Sequence, residues 1–122
     1  MAKMNVSSTI VVDKFARMYE LIESGTKVGL MVSSSFLQAR VIDKITAIPL
    51  VDSGRMRGSI SYTVYPDKAY ALVGTNVEYA PHHEYGTSKM KARPFLRPTF
   101  DENKGKIREM IRNEIEKKVA TL

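Results

Sequence analysis

The chain contains no cysteine. It can therefore form neither disulfide bonds nor thiolate metal sites, it has no cysteine nucleophile, and it suits a reducing cytoplasm without requiring one. Long hydrophobic runs are also absent, since no window of about 18 unbroken apolar residues occurs. The N-terminal segment has neither a long apolar stretch nor a cleavage site. We therefore expect a soluble, untargeted protein with no membrane partner.

The composition that remains is that of an ordinary globular domain. Of the 122 residues, 43% are hydrophobic and 26% are charged, which argues against disorder. This length predicts a single domain spanning residues 1–122. The excess of positive charge, +6 overall, is concentrated in a segment that we name the basic loop, residues 88–97, which has no acid and carries Lys89, Lys91, Arg93 and Arg97. The loop is either a solvated surface segment or a binding surface.

Residues 1–48 form a predicted helical arm, because apolar residues recur there at helical spacing. Two glycines interrupt the pattern, and each of them, Gly25 and Gly29, costs about 1 kcal/mol relative to alanine inside a helix. Either a short turn separates two helices or one long helix bends at this point. Ser7 or Ser8 is the predicted N-cap, and Pro49 is predicted to end the arm.

The segment 51–98 contains a predicted antiparallel hairpin with connecting loops. Residues 59–75 alternate between apolar and polar types on either side of a turn at 65–68. We expect the two strands to share one face, formed by Ile60, Tyr62 and Val64 on the first strand and by Tyr70, Leu72 and Gly74 on the second.

Three local predictions complete the same segment. Asp52 and Ser53 are expected to act as turn and cap formers, because both side chains can accept from nearby backbone N–H groups, with Gly54 in a left-handed conformation. Residues 76–80 are expected to prolong the second strand. Residues 79–86 are expected to form one helical turn, with Pro81 near its start and Gly86 as its stop.

A C-terminal amphipathic helix is predicted over residues 99–122. Its apolar face consists of Phe100, Ile107, Met110, Ile111, Ile115 and Val119. Two starts fit the sequence: Thr99 and Glu102 match a capping box, whereas Pro98 suits the first helical position.

The order of these elements predicts an α+β fold. It consists of an N-terminal helix or kinked helix pair, a small antiparallel sheet built on the hairpin, and the C-terminal helix. A sheet this small has exposed edges, and an unpaired edge invites pairing with another chain. The exposed edges therefore give a physical reason to expect self-association.

No residue pattern predicts catalysis. The candidates for metal or acid–base chemistry are His82, His83 and Glu84. Adjacent side chains diverge, so the two histidines cannot readily face one ion, and the chain has no further histidine to complete a ligand set. A nucleophile elbow, a P-loop and a dinucleotide fingerprint are also absent. We predict a protein that is not an enzyme, with no catalytic, metal-binding or cofactor-binding residues and no cofactor.

Three segments stand out between the two helical regions, and we number them as motifs. Motif 1 is "VDSGRMRGSI" (51–60), motif 2 is "VGTNVEYAPHHEYGTSKM" (73–90), and motif 3 is "ARPFLRPTF" (92–100). In this order they resemble the tail-completion, or minor tail component, family of long-tailed phages of the Hong Kong 97 type. The resemblance covers about residues 45–105 closely, and it departs from the commoner family residues at Ser53, Met56 and Thr99.

The resemblance implies a structural virion protein of a phage or prophage. Such a protein completes the head-proximal end of the tail and joins head to tail, as one subunit of a ring that is hexameric in the virion. The implied partners are the tail terminator, the head–tail connector and the tail tube proteins. The implied location is the virion tail, with assembly in the host cytoplasm.

The same resemblance, together with the enrichment of arginine and tyrosine at protein interfaces, suggests which residues make contacts between subunits. The candidate assembly-interface residues are Arg55, Arg57, Tyr79, Glu84, Tyr85, Arg93 and Arg97. They lie in the three motifs, whose loops are expected to order against neighbouring subunits or partner rings.

An alternative function follows from the charge. The basic loop and the net charge of +6 also fit a nucleic-acid-binding module that contacts DNA phosphates without reading sequence. The two functions overlap, because DNA passes through a head–tail junction and a basic loop facing the channel would contact phosphate.

Overall fold

The computed structural model describes residues 6–48 and 53–122, and the side chains of residues 13–48 and 54–122. The elements follow in the order α1 (Val6–Ala47), α2 (Ser53–Ser59), β1 (Ser61–Tyr65), a 3₁₀ turn (Pro66–Lys68), β2 (Tyr70–Gly74), α3 (Ala80–Tyr85) and α4 (Arg97–Val119). The fold is mostly helical with a two-stranded antiparallel sheet, which confirms the predicted α+β class.

The N-terminal arm is one continuous helix of 42 residues rather than two helices. The two glycines do not interrupt it, because they lie against α4. A Cβ atom built on Gly25 would lie 2.6 Å from the Cα of Ile115, and one built on Gly29 would lie 2.8 Å from the Cα of Ile111. Glycine therefore allows the two helix backbones to approach each other closely, which compensates for its low helix propensity.

The two long helices run antiparallel. Gly25 lies beside Ile115 near the C-terminal end of α4, whereas Lys44, near the end of α1, forms an ion pair with Glu102 in the second turn of α4 (Nζ to Oε1, 3.0 Å). This packing makes α1 and α4 the frame of the molecule, and the hairpin packs against α1. The side-chain amide of Gln38 on α1 donates a hydrogen bond to the carbonyl of Ile60, just before β1 (2.8 Å).

Several predicted helix ends are corrected. Ser7 and Ser8 lie inside α1, so neither is its N-cap. Pro49 lies outside the described residues, and α1 ends at Ala47. In motif 1 the predicted turn is wrong, since residues 53–59 form α2 and Gly54 does not adopt a left-handed conformation. The helical conformation turns Met56 into the core, where its side chain is fully buried. Asp52, predicted as a turn or cap residue, lies outside the described residues.

The C-terminal helix begins at Arg97, with Pro98 in its first turn. Proline is tolerated there because its missing N–H would have no partner within the helix. The alternative capping box is wrong. Thr99 is buried and donates its hydroxyl hydrogen to the carbonyl of Phe95, and Glu102 pairs with Lys44 instead.

The hairpin forms as predicted, but the face expected for its second strand is wrong. A four-residue loop, 66–69, joins the strands, so that Tyr62 lies opposite Val73. Residues directly opposite each other share a face, and Val73 is packed against the core. Tyr70 and Leu72 therefore lie on the other face, where Leu72 is 58% exposed.

The core lies where the C-terminal half of α1 meets the three motifs. Among the described residues, its buried apolar side chains are Val41, Ile45, Met56, Ile60, Val77, Ala80 and Phe95. Phe95 of motif 3 is 0% exposed, as its residue type favours. The motifs therefore take part in folding as well as in presenting surface.

Candidate assembly site

The three motifs meet in one group of residues, which we name the motif cluster: residues 55–59, 75–86 and 93–97. Motif 1 meets motif 2 through the hydroxyls of Ser59 and Thr75, whose oxygens lie 2.5 Å apart. The hydroxyl of Thr75 also accepts the backbone N–H of Val77 (3.1 Å). This turn ends β2 at Gly74, so the predicted prolongation of the strand over residues 76–80 is wrong.

A second contact between motifs 1 and 2 involves charged groups. The guanidinium of Arg55 donates to both carboxylate oxygens of Glu78, at 3.2 and 3.1 Å, and lies 5.5 Å from the ring centroid of Tyr79. The pKa of Glu78 lies below its ordinary value, first because its own backbone N–H donates to the carboxylate and then because Arg55 pairs with it. Glu78 is exposed, so this pair positions Arg55 and Tyr79 and adds little to stability.

Motif 2 meets motif 3 through Glu84. Its Oε2 accepts the backbone N–H of Phe95 (2.8 Å), its Oε1 accepts that of Arg97 (2.8 Å), and both oxygens lie 3.1 Å from the N–H of Leu96. These N–H groups lie at the start of α4, where a helix leaves its donors unpaired and its dipole favours negative charge. The sequence suggested a contact between subunits for Glu84, whereas the structure shows its carboxylate bound within the chain.

The helical turn predicted at residues 79–86 is confirmed as α3, with Pro81 at its start and Gly86 at its end. Gly86 has a φ of +78°, and a Cβ atom on it would lie 2.8 Å from the backbone nitrogen of Ala92. Only glycine suits this position. The basic loop folds back from it and is tied to α3 by the N–H of Arg93, which donates to the carbonyl of His83 (2.6 Å).

The two adjacent histidines have different environments. His82 is exposed, whereas His83 is only 6% exposed and its ring packs edge-on against Tyr79 with centroids 5.8 Å apart. Among the described residues, Nδ1 of His83 has no hydrogen-bond partner. The pKa of His83 is lowered, mainly by burial and further by the positive charges of Arg93 and His82. His83 is therefore held neutral near pH 7 as part of the packing.

Acidification is expected to destabilise the protein through His83. Because its pKa is lower in the folded than in the unfolded chain, the unfolded chain binds the proton first, and stability falls as the pH drops below about 6.5. We expect a loss of at most about 1.4 kcal/mol between pH 7.5 and 5.5, measured by urea unfolding. The variant His83→Gln should lose this component, and His82→Gln should retain it. Equal pH dependence of all three proteins would contradict the role given to His83.

All seven candidate interface residues lie within the ranges of the motif cluster, and five of them make contacts between the motifs: Arg55, Tyr79 and Glu84 through their side chains, and Arg93 and Arg97 through their backbone N–H groups. Arg57 turns instead toward α1, with Nη1 3.4 Å from the hydroxyl of Thr46. Tyr85 is 80% exposed. In the basic loop the side chains of Lys89, Lys91 and Arg97 are exposed and form no ion pair within the described part of the chain.

Over residues 6–48 and 53–122, the structure shows no group of three or more histidine, aspartate or glutamate side chains that could hold a metal ion. In the same ranges no helix combines the length and the apolarity that crossing a bilayer requires. Comparisons of the chain with protein-family models, curated proteins and solved structures find no match.

Proposed function

We propose that this protein is a structural subunit of a tailed phage or prophage, which completes the head-proximal end of the tail and takes part in head–tail joining without catalysing a reaction. One observation supports this most. The three motifs on which the resemblance rests contact one another in the motif cluster, motif 1 with motif 2 across the hairpin through Ser59 and Thr75 and through Arg55 and Glu78, and motif 2 with motif 3 through Glu84 and the start of α4.

These contacts give the three motifs one common place in the fold. Three residues of these motifs also occupy positions that suit their residue type. Gly86 has a positive φ, Glu84 accepts hydrogen bonds from three backbone N–H groups, and Phe95 is completely buried. The contacts of the motif cluster hold the three motifs together and leave the side chain of Tyr85 exposed on its surface. In the proposed function this surface meets neighbouring subunits of a ring, the tail terminator, the connector or the tail tube.

The test is electron microscopy of an induced lysate in which the coding sequence has been deleted, beside one complemented in trans. We expect filled heads and finished tails that remain unjoined, or tails that are aberrant at their upper end, and we expect complementation to restore joined particles. Intact infectious particles in the uncomplemented lysate would overturn the proposal.

A second candidate function, non-specific contact with DNA, is supported by the exposed basic loop. The triple variant Lys89→Gln, Lys91→Gln and Arg97→Gln separates the two functions when it is used for complementation. Its control is the triple variant Lys104→Gln, Lys106→Gln and Arg108→Gln, which removes the same charge from exposed positions on α4. Lost joining with normal DNA retention in the heads would favour protein contacts. Joined particles that leak DNA would favour contact with DNA.

A further inference from the structure

An apolar groove lies beside the motif cluster, between α1, β2, α3 and α4. Its cavity volume is about 530 Å³, and aliphatic side chains of α1 and α4, including Leu37, Ile107 and Ile111, line it. Three elements each add a large side chain that is exposed: Leu72 of β2 (58%), Tyr85 of α3 (80%) and Phe100 of α4 (47%). Contiguous apolar surface of this kind marks an interaction site.

The charge beside the groove is positive. Tyr85, shortly before the basic loop, and Arg97, the last residue of the loop, both line the groove. Lys89 and Lys91, within the loop, are exposed and form no ion pair in the described part of the chain. The acid that lines the groove, Glu84, has both oxygens engaged by backbone N–H groups. The groove therefore joins an apolar floor to one exposed cation, Arg97, with Lys89 and Lys91 in the loop that leads to it.

The apolar floor and the positive charge beside it together indicate which kind of molecule binds in the groove. Nucleic acid would use the positive charge but would leave Leu72 and Phe100 uncovered. A second copy of the chain would bring a net charge of +6 against +6. An amphipathic helix with acidic residues beside its apolar stripe satisfies both properties, and helices commonly bind proteins by placing such a stripe in a groove.

We propose that the groove binds an acidic amphipathic helix of a partner protein. The apolar side chains of that helix lie between Leu72, Tyr85 and Phe100, and its carboxylates face the basic loop. This inference rests on the proposed function, in which the chain acts through protein partners, but its test needs no phage.

The probes are two fluorescent helical peptides of about 18 residues with leucines at positions i, i+3, i+4 and i+7. Their polar positions carry glutamate in one peptide and lysine in the other. Fluorescence anisotropy at about 0.15 M salt should show the acidic peptide binding at least about tenfold more tightly than the basic one.

Substitutions locate the binding. Leu72→Ser and Phe100→Ser should each weaken binding of the acidic peptide by about tenfold or more. Phe15→Ser is the matched control, because Phe15 is also an exposed apolar residue (66%) but lies on α1 away from the groove, and this change should leave binding unaltered. The triple glutamine variant at Lys89, Lys91 and Arg97 should abolish the preference for the acidic peptide, whereas the triple variant at Lys104, Lys106 and Arg108 should preserve it. Circular dichroism checks that each variant is folded.

Four results would overturn the proposal: neither peptide binds, both bind equally, binding is indifferent to Leu72 and Phe100, or duplex DNA displaces the acidic peptide. Light scattering that shows self-association abolished by Leu72→Ser would assign the groove to a second copy instead. If the peptide results hold while the deletion lysate yields infectious particles, the groove stands and the phage function fails. If the lysate results hold without peptide binding, the phage function stands and the groove assignment fails.

Discussion

Replacing Gly25 or Gly29 by alanine is expected to lower the free energy of unfolding by about 2–3 kcal/mol, and replacing Gly29 by leucine by more than about 3 kcal/mol. A Cβ atom at these positions would meet the backbone of α4, 2.6 Å from the Cα of Ile115 or 2.8 Å from the Cα of Ile111. Backbone atoms cannot rotate out of the way as a side chain can. The two helices must separate along part of their length, which exposes apolar surface on both.

Gly105 provides the control, because it lies in α4 and a Cβ atom on it would have no neighbour within 4 Å. Gly105→Ala should therefore stabilise the protein by up to about 1 kcal/mol through helix propensity. Urea unfolding should therefore show that glycine-to-alanine substitution destabilises the protein at Gly25 and Gly29 of α1 and stabilises it at Gly105 of α4. Stabilisation of Gly25→Ala similar to that of Gly105→Ala would show that α1 and α4 are not in close backbone contact.

The glycines illustrate what the sequence can and cannot predict. Helix propensity alone predicted that the helix would break or bend at Gly25 and Gly29. In the fold, both glycines lie within continuous α1 and form part of its contact surface with α4. A signal was present, because Gly25, Gly29 and Ser33 are small residues four positions apart and so lie along one helix face. Which helix covers that face is a tertiary property, and the sequence of α1 does not contain it.

In the hairpin and at the helix ends, too, local features could be predicted from the sequence, whereas features set by tertiary packing could not. Alternation predicted the two strands, but the exposed face of Leu72 depends on a loop of four residues that sets the pairing. Gly86 was interpreted correctly because its effect is local, and Pro98 marks one of the two helix starts that the sequence left open. The burial of Met56 converted a predicted turn into α2, since the core outweighed the turn preference of Ser53 and Gly54.

The candidate site was only partly predictable for the same reason. The motifs located the residues, but the role of Glu84 depends on bringing its carboxylate to N–H groups that lie 11 to 13 positions later in the chain. His83 shows the converse case. Its neighbour His82 has the same chemistry and a nearly identical sequence context, and only the fold makes one of them buried and the other exposed.

The second large effect is expected at Glu84. Glu84→Ala leaves the N–H groups of Phe95, Leu96 and Arg97 without their acceptor at the start of α4. We expect the free energy of unfolding to fall by about 2–4 kcal/mol, because hydrogen bonds to a charged acceptor contribute more than neutral ones and solvent replaces them only in part at this half-buried site. Urea unfolding measures this loss.

Glu102→Ala is the matched control, since it also removes a carboxylate near the start of α4 but one whose partner is the side chain of Lys44 at the surface. Its cost should stay below about 1 kcal/mol. Acetate offers a second readout, because it carries the carboxylate that Glu84→Ala has lost and should raise the melting temperature of that variant more than chloride at equal ionic strength. The wild-type protein, whose site is filled by its own side chain, should show no such difference. A Glu84→Ala variant as stable as Glu102→Ala and indifferent to acetate would mean that motifs 2 and 3 are held together without this carboxylate.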